Sequence, residues 1–212
     1  MKPRLPKKRP LLYLITEGKL TDETVSHSST EVLAKIERAT AAGVDLIQVR
    51  EKSISARKLT EFARKAFQIT QKAGALLLLN DRVDIAMALE IDGVHLTEDS
   101  LPVSVVREIA GEGILIGCSR HSVEGLRQAE SEGADLAVFG PVFATPGKGE
   151  PVGIGLLKKA CEAVPGLPVL GLGGIDAGNM NSVFEAGAAG IASIRFLNDP
   201  EAVSALKTAD AI

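Results

Sequence analysis

The feature that most constrains the fold is a regular alternation of short apolar runs with longer amphipathic segments. Eight apolar runs occur in order, at residues 11–16, 45–50, 75–80, 93–96, 114–119, 136–140, 168–174 and 190–196. Between them lie segments such as STEVLAKIERATAAG and SARKLTEFARKAFQITQKAG, which open on a Ser or Thr typical of a helix N-cap and close on Gly. This alternation predicts βα units whose strands form one parallel sheet.

Eight units with no long interruption favour a closed sheet. We therefore predict an α/β fold, a single-domain (β/α)8 TIM barrel, with a doubly wound open sheet as the alternative. We expect the barrel to span residues 11–212 and to follow a flexible basic tail at residues 1–10. The cations of that tail are Lys2, Arg4, Lys7, Lys8 and Arg9. No stretch is long and apolar enough to predict a signal peptide or a membrane span.

Composition narrows the classes of function. The net charge of −3 provides no basic footprint for nucleic acid, and 3% aromatic residues with no Trp argue against base-stacking surfaces. The two cysteines, Cys118 and Cys161, form neither a CxxC pair nor a metal-binding spacing. Free thiols of this kind predict a cytoplasmic protein.

Active sites of such barrels lie at the carboxyl ends of the strands, so the last residues of each strand are candidates. The second strand ends in QVREK, where alternation places Gln48, Arg50 and Lys52 on one side and Val49 and Glu51 on the other. Arg50 and Lys52 could together bind an anion, and Gln48 beside them could hydrogen-bond the edge of a heterocycle. The alternative is that both cations are solvated residues beyond the strand.

The third and fourth strands end in oxygen-bearing side chains. The third ends in Asn80-Asp81, where Asn80 could bind a polar ring and Asp81 could bind Mg²⁺ or, alternatively, cap the helix that begins at Val83. After the fourth strand, Glu98 or Asp99 could supply a second metal carboxylate. His95 lies within that strand and is better explained as a hydrogen-bonded interior residue.

The ends of the remaining strands carry candidate residues for phosphate binding and for proton transfer. Ser119 and His121 follow the fifth strand, and His121 could carry a proton at neutral pH, although no Asp or Glu visibly orients it. The Gly- and Pro-rich loop after the sixth strand presents Thr145 and Lys148, as a mobile lid or simply as a solvated loop. After the seventh strand, Gly173 and Gly174 would let backbone N–H groups approach an anion, with a helix start behind them.

Taken together, these strand ends resemble the thiamine phosphate synthase family, whose close sisters are thiazole tautomerases. The resemblance rests on LIQVREK, LLNDRVDIA, GVHL, IGCSRHS, FGPVFATPGK, GLGGI and AGAAGIASI, all in the family's order. It implies a Mg²⁺-assisted transferase that joins hydroxymethylpyrimidine diphosphate to a thiazole phosphate, with thiamine phosphate and pyrophosphate as products. The implied partners are small phosphorylated substrates, with neither nucleic acid nor membrane, and a homo-oligomer is left open.

The resemblance also assigns roles by position. Gln48 and Asn80 would hold the pyrimidine, and Asp81 would hold Mg²⁺. The diphosphate would contact Arg50, Lys52 and Lys148, and Ser119 would lie near the reacting centre. The thiazole phosphate would contact Thr145, Gly173, Gly174, Ile194 and Arg195.

Three positions depart from the family pattern. The second metal ligand falls on Ser100, with Asp99 one residue early, and Gly147 replaces a second Thr in the lid. After the eighth strand, Ile194-Arg195 replaces Ile-Ser, so Arg195 would either bind phosphate or indicate another ligand. Two other functions are weighed: a thiazole tautomerase that uses His121, and a non-catalytic regulatory paralogue that binds thiazole or thiamine phosphate.

Overall fold

Eight parallel strands form a closed barrel in sequence order, as the sequence predicts, and β8 closes on β1. The computed structural model describes residues 3–7, 10–199 and 201–203. The strands are β1 Leu11–Ile15, β2 Leu46–Val49, β3 Leu76–Asn80, β4 Gly93–Leu96, β5 Leu115–Arg120, β6 Leu136–Phe139, β7 Val169–Leu172 and β8 Gly190–Ser193. Lys2, Lys8 and Arg9 of the predicted tail, and residues 204–212 of the predicted barrel domain, lie outside the described residues.

The helices follow the strands on the outside of the barrel. They are α1 Val25–Ala42, α2 Ala56–Ala73, α3 Val83–Ala88, α4 Val103–Ala110, α5 Val123–Ser131, α6 Gly153–Ala163 and α7 Met180–Glu185, with short 3-10 helices at Gly111–Gly113 and Phe196–Asn198. Gly43 and Gly74 end α1 and α2 in the left-handed conformation, with φ of 103° and 72°, which confirms the glycine stop signals. Within the described residues, no helix combines the length and hydropathy of a membrane span.

The start of α1 differs from the prediction. The sequence places it near Ser29, whereas the helix begins at Val25 with Thr24 as its N-cap residue. The hydroxyls of Thr21 and Thr24 hydrogen-bond to each other, and each accepts the backbone N–H of the other residue, so a stabilised turn leads directly into the helix. The prediction was wrong because this turn is stabilised by local hydroxyl bonds that an apolar periodicity does not reveal.

The strands are apolar on both faces because each face packs against a separate core. The barrel interior holds a cluster of Leu11, Tyr13, Ile15, Leu46, Leu78, Leu136, Val138, Leu170 and Ala192. The outward residues of the same strands, such as Leu12 and Leu14, pack in a second cluster beneath the helices. Burial of each Leu side chain contributes about 1.5–3 kcal/mol to the free energy of folding. The two apolar layers together therefore hold the strands, and the residues at their ends, in place.

Two glycines in the barrel wall make room for interior side chains, one of which is polar. A Cβ on Gly117 would lie 2.9 Å from His95 Nδ1, and a Cβ on Gly93 would lie 3.0 Å from Leu78 Cγ. The β4–β5 register places Gly117 directly beside His95. The sequence does not reveal the role of these glycines, because it depends on a neighbouring strand rather than on a local turn.

Candidate active site

The ends of β2 and β3 form a hydrogen-bonded series at the barrel mouth. Gln48 Nε2 donates to Asn80 Oδ1 at 3.0 Å, and Asn80 Nδ2 donates to Asp81 Oδ2 at 2.7 Å. Gln48 and Asn80 are buried, with 2% and 7% of their surface exposed. Each amide is oriented by its neighbour, so the remaining amide groups can present a fixed pattern of donors and acceptors to a ligand.

Asp81 is turned toward the mouth by an unusual backbone conformation. Its φ is 60°, a left-handed value that Asp tolerates better than most residues, and its N–H donates to the His95 carbonyl at 3.0 Å. Its Oδ1 accepts a hydrogen bond from Ser100 Oγ. The alternative that the Asp81 side chain caps α3 is wrong, because Arg82 is the N-cap residue and the carboxylate faces Asn80 and Ser100.

The donor set around Asp81 is suited to Mg²⁺ more than to a soft metal. Within the described residues, no group of three His, Cys, Asp or Glu side chains converges to hold a metal ion. Mg²⁺, however, is commonly held by one or two carboxylates together with substrate phosphates and water. Asp81 fits that pattern as a single carboxylate, with the Ser100 hydroxyl beside it.

The structure does not bring the other acidic candidates to Asp81. Asp99 is exposed and has no hydrogen bond or ion pair within the described part of the chain. Glu98 is also exposed, and its Oε1 accepts the backbone N–H of His121 at 3.1 Å. Asp99 as a second metal ligand therefore stays a prediction, whereas Ser100, the position that matches the family's second ligand, hydrogen-bonds to Asp81.

The cations that follow Gln48 reach the same mouth. Arg50 is half-buried and Lys52 is exposed, and Lys52 lines a cavity of about 180 Å³ together with Asn80 and Asp81. Within the described residues, neither cation forms an ion pair with a carboxylate. Both remain available to a bound anion.

A chain of hydrogen bonds in the barrel interior links Tyr13, His95 and Ser119. The Tyr13 hydroxyl lies 3.1 Å from His95 Nδ1, and His95 Nε2 lies 2.9 Å from Ser119 Oγ. Burial lowers the pKa of His95 to about 3 and raises the pKa of Tyr13 well above its ordinary value. The imidazole is therefore neutral, and it hydrogen-bonds to the Ser119 hydroxyl. The prediction of an interior, hydrogen-bonded His95 is confirmed.

The loops after β5 to β8 enclose one pocket of about 390 Å³. Seven predicted site residues line it, namely His121, Thr145, Lys148, Gly173, Gly174, Ile194 and Arg195. They come from four separate loops, and only closure of the barrel brings them together. The lining combines two cations, two hydroxyls, the Asp176 carboxylate and backbone groups around apolar residues. Such a mixture of polar groups around apolar walls suits a small ring that bears a charged substituent.

Gly173 and Gly174 are required by their backbone and by the loop packed on them. Their φ values are 100° and 63°, and a Cβ would lie 2.6 Å from Pro141 Cβ or 2.7 Å from the Ala144 carbonyl oxygen. The predicted helix start directly behind them is wrong, because α7 begins only at Met180. A loop closed by an Asn179 Nδ2 hydrogen bond to the Gly174 carbonyl, 2.8 Å long, separates the glycines from that helix.

His121 is oriented by a backbone carbonyl instead of a carboxylate. Its Nδ1 hydrogen-bonds to the Gly140 carbonyl oxygen, which requires a proton on Nδ1. In the neutral imidazole, Nε2 is then the atom left as an acceptor, and the residue lines the same pocket as Lys148. A hydrogen bond to a backbone carbonyl leaves no pattern in the sequence, so the orientation of His121 could not be predicted.

Comparison with known proteins identifies relatives that share most of the chain. Residues 12–197 match the family model described as thiamine monophosphate synthase. A thiamine-phosphate synthase of Haloarcula marismortui is 39% identical over 202 residues, covering 91% of this chain and 92% of that protein. A thiamine-phosphate synthase of Methanoculleus marisnigri is 43% identical over 179 residues, covering 82% and 83%. Among solved structures, a thiamine phosphate pyrophosphorylase from Pyrococcus furiosus has a TM-score of 0.81 and 32% identity, covering 94% of each chain.

Proposed function

The chain belongs to the thiamine monophosphate synthase family, and on this premise we propose that it joins hydroxymethylpyrimidine diphosphate to a thiazole phosphate. The products would be thiamine phosphate and pyrophosphate. The observation that carries the proposal is the series Gln48–Asn80–Asp81, which sets two oriented amides beside one carboxylate at the mouth. Such a series suits a pyrimidine with a metal-bound diphosphate.

The pyrimidine side of the reaction uses the ends of β2 and β3. Gln48 and Asn80 would hydrogen-bond the ring and fix its orientation, while Arg50, Lys52 and Lys148 would contact the diphosphate. Asp81 would hold Mg²⁺, which when bound neutralises negative charge on the departing pyrophosphate. The carbon–oxygen bond to pyrophosphate breaks as charge grows on oxygen, so fixed cations stabilise that step most.

The thiazole side uses the 390 Å³ pocket. Thr145, Gly173, Gly174 and the Ile194-Arg195 pair would bind its phosphate, so that the ring nitrogen faces the pyrimidine carbon. Attack by that nitrogen depends on positioning and requires no general base. The Ser119 hydroxyl, oriented by neutral His95, would lie at the reacting centre between the two substrates.

A second candidate function, thiazole tautomerase, is favoured by the contact between His121 and Gly140. This contact leaves Nε2 of the neutral imidazole as a proton acceptor in the thiazole pocket. A base at that position is what moving a proton on a thiazole ring would need. The synthase remains the stronger proposal, because a tautomerase gains nothing from the Gln48–Asn80–Asp81 series.

The deciding experiment is a fluorescence assay for thiamine phosphate with purified protein and both phosphorylated substrates. We expect product with Mg²⁺ and none with excess EDTA. Asp81→Asn should lower turnover at least a hundredfold, whereas Asp84→Asn, which removes a nearby carboxylate paired with Arg82, should leave turnover unchanged.

Other outcomes would contradict the proposal. Turnover by Asp81→Asn in EDTA would exclude the metal role of Asp81. No product from folded protein, together with conversion of the thiazole tautomer that is lost in His121→Ala, would establish the second candidate instead. Calorimetric binding of thiazole or thiamine phosphate with no turnover would identify a regulatory paralogue.

A further inference from the structure

Glu51 is a buried carboxylate that the proposed chemistry does not use. Only 4% of its surface is exposed, and it lies between two cations of the mouth, Arg50 and Lys52. Both of its oxygens accept backbone hydrogen bonds from the loop after β1: Oε1 from Gly18 N at 3.2 Å and Oε2 from Leu20 N at 2.9 Å. Glu51 therefore connects the segment that follows β2 to a loop 31 to 33 residues earlier in the chain.

These two bonds belong to a longer series between residues 16–22 and residues 50–55, which we call the paired loops. The Arg50 backbone N–H donates to Thr16 Oγ1 at 2.9 Å. Thr21 and Ser53 form an isolated parallel bridge. At the outer end, Ser55 N donates to Asp22 Oδ1 at 2.7 Å. Glu51 supplies the two central bonds of this series, and it is the buried carboxylate of the paired loops.

The loop held by Glu51 lies directly against Arg50. Gly18 has φ of +72°, and a Cβ there would lie 3.1 Å from the Arg50 carbonyl oxygen and 3.4 Å from Arg50 Nη1. The backbone of Gly18 thus forms a wall beside the guanidinium, and the Gly18 N–H is one of the groups that Glu51 accepts. Displacement of this loop would free the Arg50 side chain to leave its position.

The Glu51 carboxylate forms no ion pair with the cations on either side of it in the sequence. Its carboxylate is directed toward two N–H groups of the loop, and within the described residues neither Arg50 nor Lys52 forms an ion pair. Alternate residues after β2 therefore have different functions in this arrangement. Arg50 and Lys52 are directed to the anion, and Glu51 between them holds the backbone in place.

We propose that Glu51 is a positioning residue that holds the paired loops together and so aligns Arg50 and Lys52 for a diphosphate group before it binds. This inference rests on the proposed function, because it concerns the anion that the same two cations would bind. Long cationic side chains lose conformational freedom when they bind an anion, so alignment in advance increases affinity. Catalysis at saturating substrate is expected to change little.

The test measures binding of inorganic pyrophosphate with Mg²⁺ by calorimetry, and KM for each substrate, in Glu51→Ala and Glu51→Gln. Glu51→Ala should weaken pyrophosphate binding and raise KM for the pyrimidine diphosphate about tenfold. Glu51→Gln, which keeps one acceptor oxygen, should have an intermediate effect. KM for the thiazole phosphate and kcat should stay within about twofold, since that pocket is built from other loops.

The matched control is Asp22→Asn, which alters a carboxylate-to-backbone bond at the outer end of the same paired loops, between Asp22 and Ser55. It should leave pyrophosphate binding unchanged. If Glu51→Ala does not fold, Gly18→Ala keeps the Glu51 side chain but strains the loop beside Arg50, and it should weaken pyrophosphate binding as well.

Three results would overturn the inference: unchanged pyrophosphate affinity in the Glu51 variants, an equal loss in Asp22→Asn, or an equal rise of KM for both substrates. The last two would indicate a general loosening of the fold. Wild-type protein that binds pyrophosphate but forms no thiamine phosphate would contradict the proposed function alone, and the binding measurements would still decide the role of Glu51.

Discussion

Ser100 Oγ donates a hydrogen bond to Asp81 Oδ1, so a hydroxyl lies where the family resemblance implies a second metal carboxylate. Ser100 Oγ also accepts the Thr97 backbone N–H at 2.6 Å, which fixes the hydroxyl in place. The metal site that we propose thus relies on one protein carboxylate and on the substrate phosphates. A single carboxylate predicts weak Mg²⁺ binding in the absence of substrate.

Ser100→Asp is therefore predicted to strengthen Mg²⁺ binding. A second carboxylate beside Asp81 adds a charged oxygen ligand, and it can still accept the Thr97 N–H. We expect the Mg²⁺ concentration for half-maximal activity to fall about tenfold, which corresponds to about 1.4 kcal/mol. Ser26→Asp, the same change at an exposed position of α1, should leave the Mg²⁺ requirement unchanged. An unaltered requirement in Ser100→Asp would place the metal away from Asp81.

Arg195→Ala is predicted to weaken binding of the thiazole phosphate. Arg195 is exposed at the rim of the 390 Å³ pocket, and it has no ion-pair partner among the residues that the structure describes. Loss of one charge-assisted contact at an exposed rim should raise KM for the phosphorylated thiazole about tenfold. KM for the unphosphorylated thiazole alcohol should not change, and Arg64→Ala on the outer face of α2 should behave as wild type. Equal effects on both thiazoles would exclude a phosphate contact.

The stability of the protein should depend on the protonation of His95. Its folded-state pKa of about 3 lies below the ordinary value of 6.5, so the unfolded chain binds a proton more readily. The contribution of His95 to the free energy of unfolding is fully present above pH 6.5. It decreases as the pH falls toward 3, by up to about 1.4 kcal/mol per pH unit. Urea unfolding between pH 7 and 4.5 should show this slope in wild type and in His27→Gln, an exposed control, and a smaller slope in His95→Gln. An equal slope in His95→Gln would refute the assignment.

Gly173→Ala is predicted to destabilise the fold. The φ of +100° is unfavourable for Ala, and the new Cβ would meet Pro141 Cβ at 2.6 Å. We expect a loss of about 2–4 kcal/mol in the free energy of unfolding, measured with urea. Gly149→Ala, where a Cβ meets nothing within 4 Å, should change stability by less than about 0.5 kcal/mol. A stable Gly173→Ala would show that the loop from Pro141 can move.

Periodicity along the chain is sufficient to predict the barrel and to place most of the candidate residues on it. Eight apolar runs, each followed by a helical segment, leave few topologies that bury both strand faces, and the closed barrel is one of them. Because all parallel strands end at the same face, Gln48, Asn80 and Gly173 could be predicted as neighbours of one mouth from their places in the chain. These inferences depend on periodicity and order, which are local properties.

Which of those residues touch, and which groups orient them, depends on how the strands and loops pack in three dimensions. The contact of Ser100 with Asp81, the Gly140 carbonyl on His121 and the loop held by Glu51 all join segments far apart in sequence. The space that Gly117 leaves for His95 likewise depends on the register of two strands. Such contacts depend on how whole strands, helices and loops pack, to within a few tenths of an ångström. The residue types along a single strand do not specify that packing.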